Sequence, residues 1–300
     1  MSTVREGEPG GSSIPIPALF AHLVDDTTLL LPRRQVPPVG EVLAGYLSGR
    51  DGEYGGMAGQ LVCPVSRLPE VVSELAKQAP LAPVEISLVV DTGLGAVPKA
   101  LSLVMSREAL LTPCTVETAA PPDLDSTWLE RVSEFVPDDV LAVVEPRRPL
   151  EGDTSQWLAA VRRVAEHGCT PKLRCGGPRP SDVPTVRQVA DFVAAADGAP
   201  AGFTTSLGLP HAVRQIHEAT GLIEHGMLNL LVGVARALVN GDVRGALEET
   251  DPSALVREVA RLSEAAGSAV RGLLARCGNG PANEPAAELA GLGLLGAATR

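Results

Sequence analysis

Lys172 and Arg174 stand two residues apart in the stretch CTPKLRCGG. Residues two apart on a strand point to one side, so a strand over 170–175 presents an ammonium and a guanidinium on the same face. Gly176 and Gly177 then end the strand, and Pro178, Pro180 and Pro184 delay the helix that follows. A cation pair at the carboxyl end of a parallel strand, beside backbone without side chains, suits an anionic or carbonyl-bearing substrate. The acids able to work with that pair are Asp25, Asp26, Asp91, Glu117 and Glu145, which fall near the ends of other expected strands. Ser206 and His211 follow the next strand.

Two chemistries are open to Lys172. Desolvated and neutral, it acts as a general base or forms a Schiff base with a carbonyl; paired with Glu145 or Glu117, it stays charged and only holds a substrate or closes the mouth electrostatically. Three acids on neighbouring strands can also hold a divalent cation such as Mg²⁺ beside a basic lysine, a layout that loosely resembles enolase-superfamily sites. In outline, 172–177 looks similar to the lysine strands of deoxyribose-phosphate aldolase and its relatives, with a different spacing. Arg174 is a permanently charged fork suited to carboxylate or phosphate, or to an ion pair inside the mouth. His211 is placed to move a proton near neutral pH, or is only solvated. Arg214 is an anion contact or a surface charge. His225 and Asn229, four apart, share one helix face and either reach a ligand or satisfy loop carbonyls. Tyr54 sits in DGEYGGMAG, a Gly-rich loop expected to cover the mouth but lacking the lysine and Ser/Thr pair of a nucleotide loop.

These groups need a scaffold that brings strand ends together. Apolar strands are expected over 60–65, 84–90, 112–117, 140–145, 170–175 and 202–206, at intervals of about 25 to 31 residues, the size of one strand-helix unit. Helices are expected over 39–47 and 68–78. A closed eight-stranded barrel needs two more strands, for which 19–24 and 272–277 are the candidates. Helical spacing of Leu222, Ile223, Met227, Leu230, Leu231, Val234 and Leu238 predicts a core-facing helix over 222–239, with further helix over 251–275 and 286–295. No G-x-G-x-x-G follows the first strands, so a (β/α)8 TIM-barrel-like α/β fold is favoured over an open doubly wound sheet. It is expected as one domain over 14–300, with 1–13 disordered.

Composition narrows the partners. The chain has 300 residues, 45% of them hydrophobic, and can bury a full core. A formal charge of −11 repels polyphosphate, and four Phe, two Trp and two Tyr leave few platforms for stacking bases, so no nucleic-acid partner is expected. Five cysteines without a C-x-x-C pair argue against a disulfide framework or a structural zinc. No apolar run of about 18 residues and no basic leader is present, so a cytoplasmic protein without a membrane partner is expected. Outer helices rich in Ala and Leu, such as 222–239, suggest a homodimer.

Five segments in order, DDTTLLLP, KLRCGG, GLPHAVR, HGMLNLL and NEPAAELAGLGLL, resemble a family of uncharacterised bacterial proteins frequent in actinobacteria. The resemblance covers nearly the whole chain. It implies a lysine where this sequence has Thr204, a second histidine where it has Pro210, and a Ser-Cys-rich segment where it has CGNGPANEP, so the chain looks like a divergent member. The combined expectation is a lyase, aldolase or isomerase acting on a small carbonyl- or carboxylate-bearing metabolite. Lys172, Glu145, Glu117 and His211 are expected to be catalytic, and Arg174, Gly176, Gly177, Ser206, Arg214, Asp25 and Asp91 to bind substrate. No cofactor is expected unless a divalent metal such as Mg²⁺ takes part. The alternatives are a non-catalytic anion-binding or scaffold protein derived from an enzyme, and an enolase-like Mg²⁺-dependent proton abstraction.

Overall fold

Short runs of apolar residues bounded by turns become strands because each can be buried on both faces, inside a closed sheet and under a layer of helices. The strands are β1 (Val24–Asp26), β2 (Ala58–Pro64), β3 (Val84–Val89), β4 (Leu111–Ala119), β5 (Leu141–Glu145), β6 (Thr170–Arg174) and β7 (Phe203–Ser206). Helices α1 (Val39–Arg50), α2 (Leu68–Gln78), α3 (Val97–Met105), α4 (Ser126–Phe135), α5 (Ser155–Glu166) and α6 (Val186–Ala196) follow β1 to β6 one for one. After β7 the rhythm breaks. An antiparallel pair, β8 (Gln215–Ile216) with β9 (Ile223–Glu224), precedes α7 (Met227–Ala237), α8 (Val243–Glu248), α9 (Pro252–Val259) and α10 (Glu264–Leu273). Only then comes β10 (Leu274–Asn279), followed by α11 (Asn283–Gly291). This computed structural model describes residues 14–32, 34–177, 179–218 and 221–296; the expected disordered segment 1–13 lies outside them.

β1 to β7 and β10 close into an eight-stranded parallel barrel in the order β1-β2-β3-β4-β5-β6-β7-β10, which is the expected (β/α)8 TIM-barrel-like fold. Two apolar clusters lie between barrel and helices. One joins β2, β3 and β4 to α1 through α4, with Ile86, Leu88, Leu111 and Val116 among its buried members. The other gathers β6, β7 and β10 against α5 to α11. There Phe192 of α6 stacks on Trp157 of α5 at 5.8 Å and meets the edge of Phe203 of β7 at 5.4 Å. Among the described residues no helix is long and apolar enough to cross a membrane.

Four expectations need correction. The first strand is Val24–Asp26 rather than 19–24, because Leu19, Phe20 and Leu23 are buried in the helix-side cluster just before it. The expected helix over 222–239 begins only at Met227; Ile223 pairs with Ile216 in the small hairpin. Residues Met227 to Val234 of α7 are all buried within the chain, while Leu238 and Val239 just beyond it stay exposed. The expected helix over 251–275 is divided into α9 and α10, and its last two residues belong to β10. The Gly-rich loop around Tyr54 precedes β2, which places it at the amino-terminal end of the barrel, opposite the mouth. There His22 N–H donates to Gly56 O at 2.7 Å.

The double glycine after β6 has a packing reason. A Cβ on Gly176 would stand 2.6 Å from Gly208 Cα, and one on Gly177 would stand 2.7 Å from the Asp182 side chain. Gly208 itself has φ +77°, and its Cβ would meet Cys175 O at 2.4 Å. The loops leaving β6 and β7 therefore cross in direct backbone contact. Gly208→Ala is expected to destabilise the protein by roughly 2–4 kcal/mol, since backbone on both sides cannot yield; urea unfolding measures it, and a loss under 0.5 kcal/mol would refute the crossing as a constraint.

Candidate functional site

The barrel interior is charged where such interiors are usually filled with branched apolar side chains. Lys172 of β6 and Glu117 of β4, each 7% exposed, form an ion pair in which Lys172 Nζ donates to Glu117 Oε2. Ser87 Oγ of β3 donates to the other oxygen of Glu117 at 2.6 Å, so both carboxylate oxygens are engaged. Beside Lys172, its register partner Thr204 on β7 presents a buried hydroxyl with no hydrogen-bond partner among the described residues.

Glu117 faces inward because of an irregularity in β4. Leu111 and Val116 both face the helices, although residues five apart on a regular strand face opposite ways. The register with β3 skips Cys114, and this extra residue restores Val116 to the outside and turns Thr115 and Glu117 inward. β10 uses the same device. Leu274 and Cys277 both lie on the helix side, the register skips Ala275, and Arg276 is thereby turned into the barrel.

Arg276 organises the opposite wall. Its Nη1 lies 3.5 Å from Asp25 Oδ1, which also accepts from the Gln60 backbone N–H at 2.7 Å. With the Gln60 amide oxygen turned toward the guanidinium, it accepts from Arg276 Nε at 3.1 Å and Nη2 at 3.0 Å. The amide nitrogen then donates to Thr115 Oγ1 at 2.8 Å. Burial pushes the Asp25 carboxyl up to about 7, against the downward pull of Arg276 and the Gln60 N–H; the Glu117 charge adds to the rise. An interior carboxyl that titrates near neutrality can give or take a proton.

At the mouth, Arg174 Nε donates to Glu145 Oε1 at 3.0 Å and Nη2 to Oε2 at 3.4 Å, with about half of the Arg174 side chain exposed. Ser206 is the register partner of Arg174. Thus Lys172, Glu117, Arg174, Glu145, Ser206 and Asp25 are gathered in the barrel and its mouth, while Gly176 and Gly177 serve the crossing above.

The remaining candidates lie elsewhere. Asp91 is exposed just past the carboxyl end of β3 and accepts from the Ser66 N–H at 3.0 Å and from its hydroxyl, so it ties the loop after β3 to the loop after β2 at the rim of the mouth. His211 is clamped between carboxylates, Nδ1 at 2.7 Å from Glu288 Oε1 and Nε2 at 3.6 Å from Glu224 Oε2. Through Nδ1 it ties the β7 loop to α11, with the hairpin carboxylate of Glu224 facing its other nitrogen. Asn229 is fully buried and holds backbone, accepting from Arg214 N–H and donating to Ala246 and Glu249 carbonyls. Arg214 lies on the rim beside His225, Nη1 to Nδ1 3.3 Å. Among the described residues no three His, Cys, Asp or Glu side chains converge on a metal position. Burial pushes the Cys277 thiol up to about 11 and raises Cys175 as well, so neither is a ready nucleophile.

Sequence reasoning did not place Ser87, Gln60, Thr115 or Arg276 in the site. Gln60 was detectable as a lone amide inside an apolar strand, whereas Arg276 sits in the last strand, whose bounds were poorly marked. Comparison with protein-family models, curated proteins and solved structures finds no match for this chain.

Asp25 also makes a pH prediction. Its folded pKa lies above the ordinary value, so the native state holds a proton that the unfolded chain has released. Its contribution to stability is fully present below about pH 4 and is lost as pH rises through about 7, by a few kcal/mol at most. Asp25→Asn is therefore expected to flatten the decline in stability between pH 4 and 8, as measured by urea unfolding at several pH values. An unchanged slope would show that Asp25 is ionised throughout.

Proposed function

We propose that this chain is an enzyme of the lyase or aldolase type that holds a small carbonyl substrate covalently on Lys172. The observation that carries this reading is the buried Lys172–Glu117 pair: at rest the carboxylate keeps Lys172 charged, as expected of a paired lysine, and a carbonyl entering this water-shielded site turns the same carboxylate into the base that frees the amine. Glu117 takes the proton from the ammonium, and the free amine adds to the carbonyl carbon while the carbonyl oxygen becomes a hydroxyl. Glu117 returns the proton as water leaves, giving an iminium. Cleavage of the next carbon–carbon bond sends its electron pair into the iminium, and the proton of the departing hydroxyl passes to Glu117. Protonation of the resulting enamine and hydrolysis by water then regenerate Lys172. Arg174 at the mouth suits an anionic end of the substrate, and Thr204 has a free hydroxyl for the substrate oxygen.

An isomerase sharing the same iminium differs only in breaking a C–H bond. The Mg²⁺-dependent alternative needs converging carboxylates, yet Glu117 is committed to Lys172, Glu145 to Arg174, Asp25 to Arg276 and Asp91 to Ser66. Membership as a divergent relative of the uncharacterised bacterial family is part of the proposal and rests on the order of the five sequence segments.

Borohydride reduction in the presence of small aldehydes and 2-oxo acids, followed by peptide mass mapping, is expected to add one substrate residue at Lys172. Lys172→Met is expected to abolish the adduct, and Glu117→Gln to slow turnover by roughly 10²–10⁴-fold. Ligand binding with no adduct and no turnover would favour the anion-binding reading over the enzyme.

A further inference from the structure

A second site lies on the rim, away from the interior charges. The loop before α6 and the small hairpin enclose a cleft of about 540 Å³ whose apolar wall includes Val183, Pro184, Val186 and Ile223. Arg214 and His225 stand in the same cleft, with Glu248 and Arg187 at its border.

The way Arg214 is held distinguishes it from Lys172 and Arg174. His225 Nε2 lies 2.7 Å from Pro184 O, a contact that requires a proton on Nε2. Nδ1 is then a lone-pair acceptor, and Arg214 Nη1 donates to it at 3.3 Å. Burial, with the Arg214 charge adding to it, lowers the His225 pKa, which agrees with a neutral ring. The backbone of Arg214 is fixed as well. Its N–H donates to Asn229 Oδ1 at 2.7 Å, and it passes so near Gly226 that a Cβ there would stand 2.4 Å from Arg214 N. Among the described residues no carboxylate comes within 4.0 Å of the guanidinium; Glu248 acts on it only at longer range. Arg187, by contrast, is paired with Asp191 at 3.5 Å. An oriented cation whose neighbour is neutral keeps its full charge for something outside the protein.

We infer that this cleft binds a small amphipathic anion, its carboxylate or phosphate on Arg214 and its apolar body along Val183, Pro184, Val186 and Ile223. The site is independent of Lys172 and of the reaction proposed there.

The test is calorimetric titration of the full chain, with backbone NMR shifts to locate binding, using octanoate, octyl phosphate, octan-1-ol and inorganic phosphate. Octanoate or octyl phosphate is expected to bind, with shifts at 183–186, 214 and 223–225, and whichever is tighter identifies the headgroup. Arg214→Gln is expected to weaken binding on the order of tenfold or more, Glu248→Gln to tighten it, and Lys172→Met to leave it unchanged. Glu248→Gln keeps the Arg214 packing intact, so the sign of its effect decides the matter even if Arg214→Gln folds poorly. Octan-1-ol binding as well as the anions, inorganic phosphate binding as well as octyl phosphate, shifts elsewhere, or no binding would overturn the assignment.

Discussion

A charge placed inside a barrel must find its counter-charge inside the same barrel. Lys172 and Glu117 meet that condition two strands apart, and much of the surrounding sequence follows from it. Removing water from both ions costs several kcal/mol per ion, and removing one partner alone leaves a penalty of about 3–5 kcal/mol. Ser87 therefore occupies the second oxygen of Glu117, and the polar Gln60, Thr115 and Thr204 line an interior that apolar side chains would pack more cheaply. Asp25 and Arg276 repeat the pattern on the far wall, but there the acid is so deeply buried that its cation only partly offsets the loss of water.

Three cations along β6 and the following rim meet three kinds of neighbour, and their capacities differ accordingly. Lys172 faces a buried carboxylate, which can accept its proton. Arg174 faces a half-buried carboxylate in wet surroundings, where the pair is weak enough to be exchanged for a substrate anion. Arg214 faces an imidazole, which orients the guanidinium without neutralising it. Depth in the barrel and the charge of the neighbour, more than the residue type, separate these roles.

The repeat from β2 to β7 was legible because each strand is an apolar run between turn residues, and the structure places those strands within one or two residues of expectation at most ends. β1 was obscured because two of its three residues are aspartates, while the apolar residues before it bury themselves without joining the sheet. β10 follows α10 with no turn residue to mark the change. In the site, reasoning from strand ends found Lys172, Glu117, Arg174 and Glu145, since all lie on or near the mouth-facing halves of their strands, Glu117 past the irregularity in β4. The same reasoning put Asp91 at the mouth end of β3, where its carboxylate is taken up by Ser66 of the loop after β2. It left out Arg276 because the inward face of β10 depends on a register skip that no residue type announces.

The skips at Cys114 and Ala275 bear on which changes in chain length the interior can absorb. Parity along β4 and β10 is set by residue count. Loss of the codon for either bulged residue would leave a regular strand in which Leu111 and Val116 stand four apart and Leu274 and Cys277 two apart, so Glu117 and Arg276 would still face inward; loss of Leu173 from the unbulged β6 would instead turn Arg174 toward the helix layer. Point substitution at Cys114 leaves the count unchanged and the charge where it is. The inward charges of β4 and β10 therefore survive loss of the bulged residues, whereas those of β6 depend on an unbroken residue count.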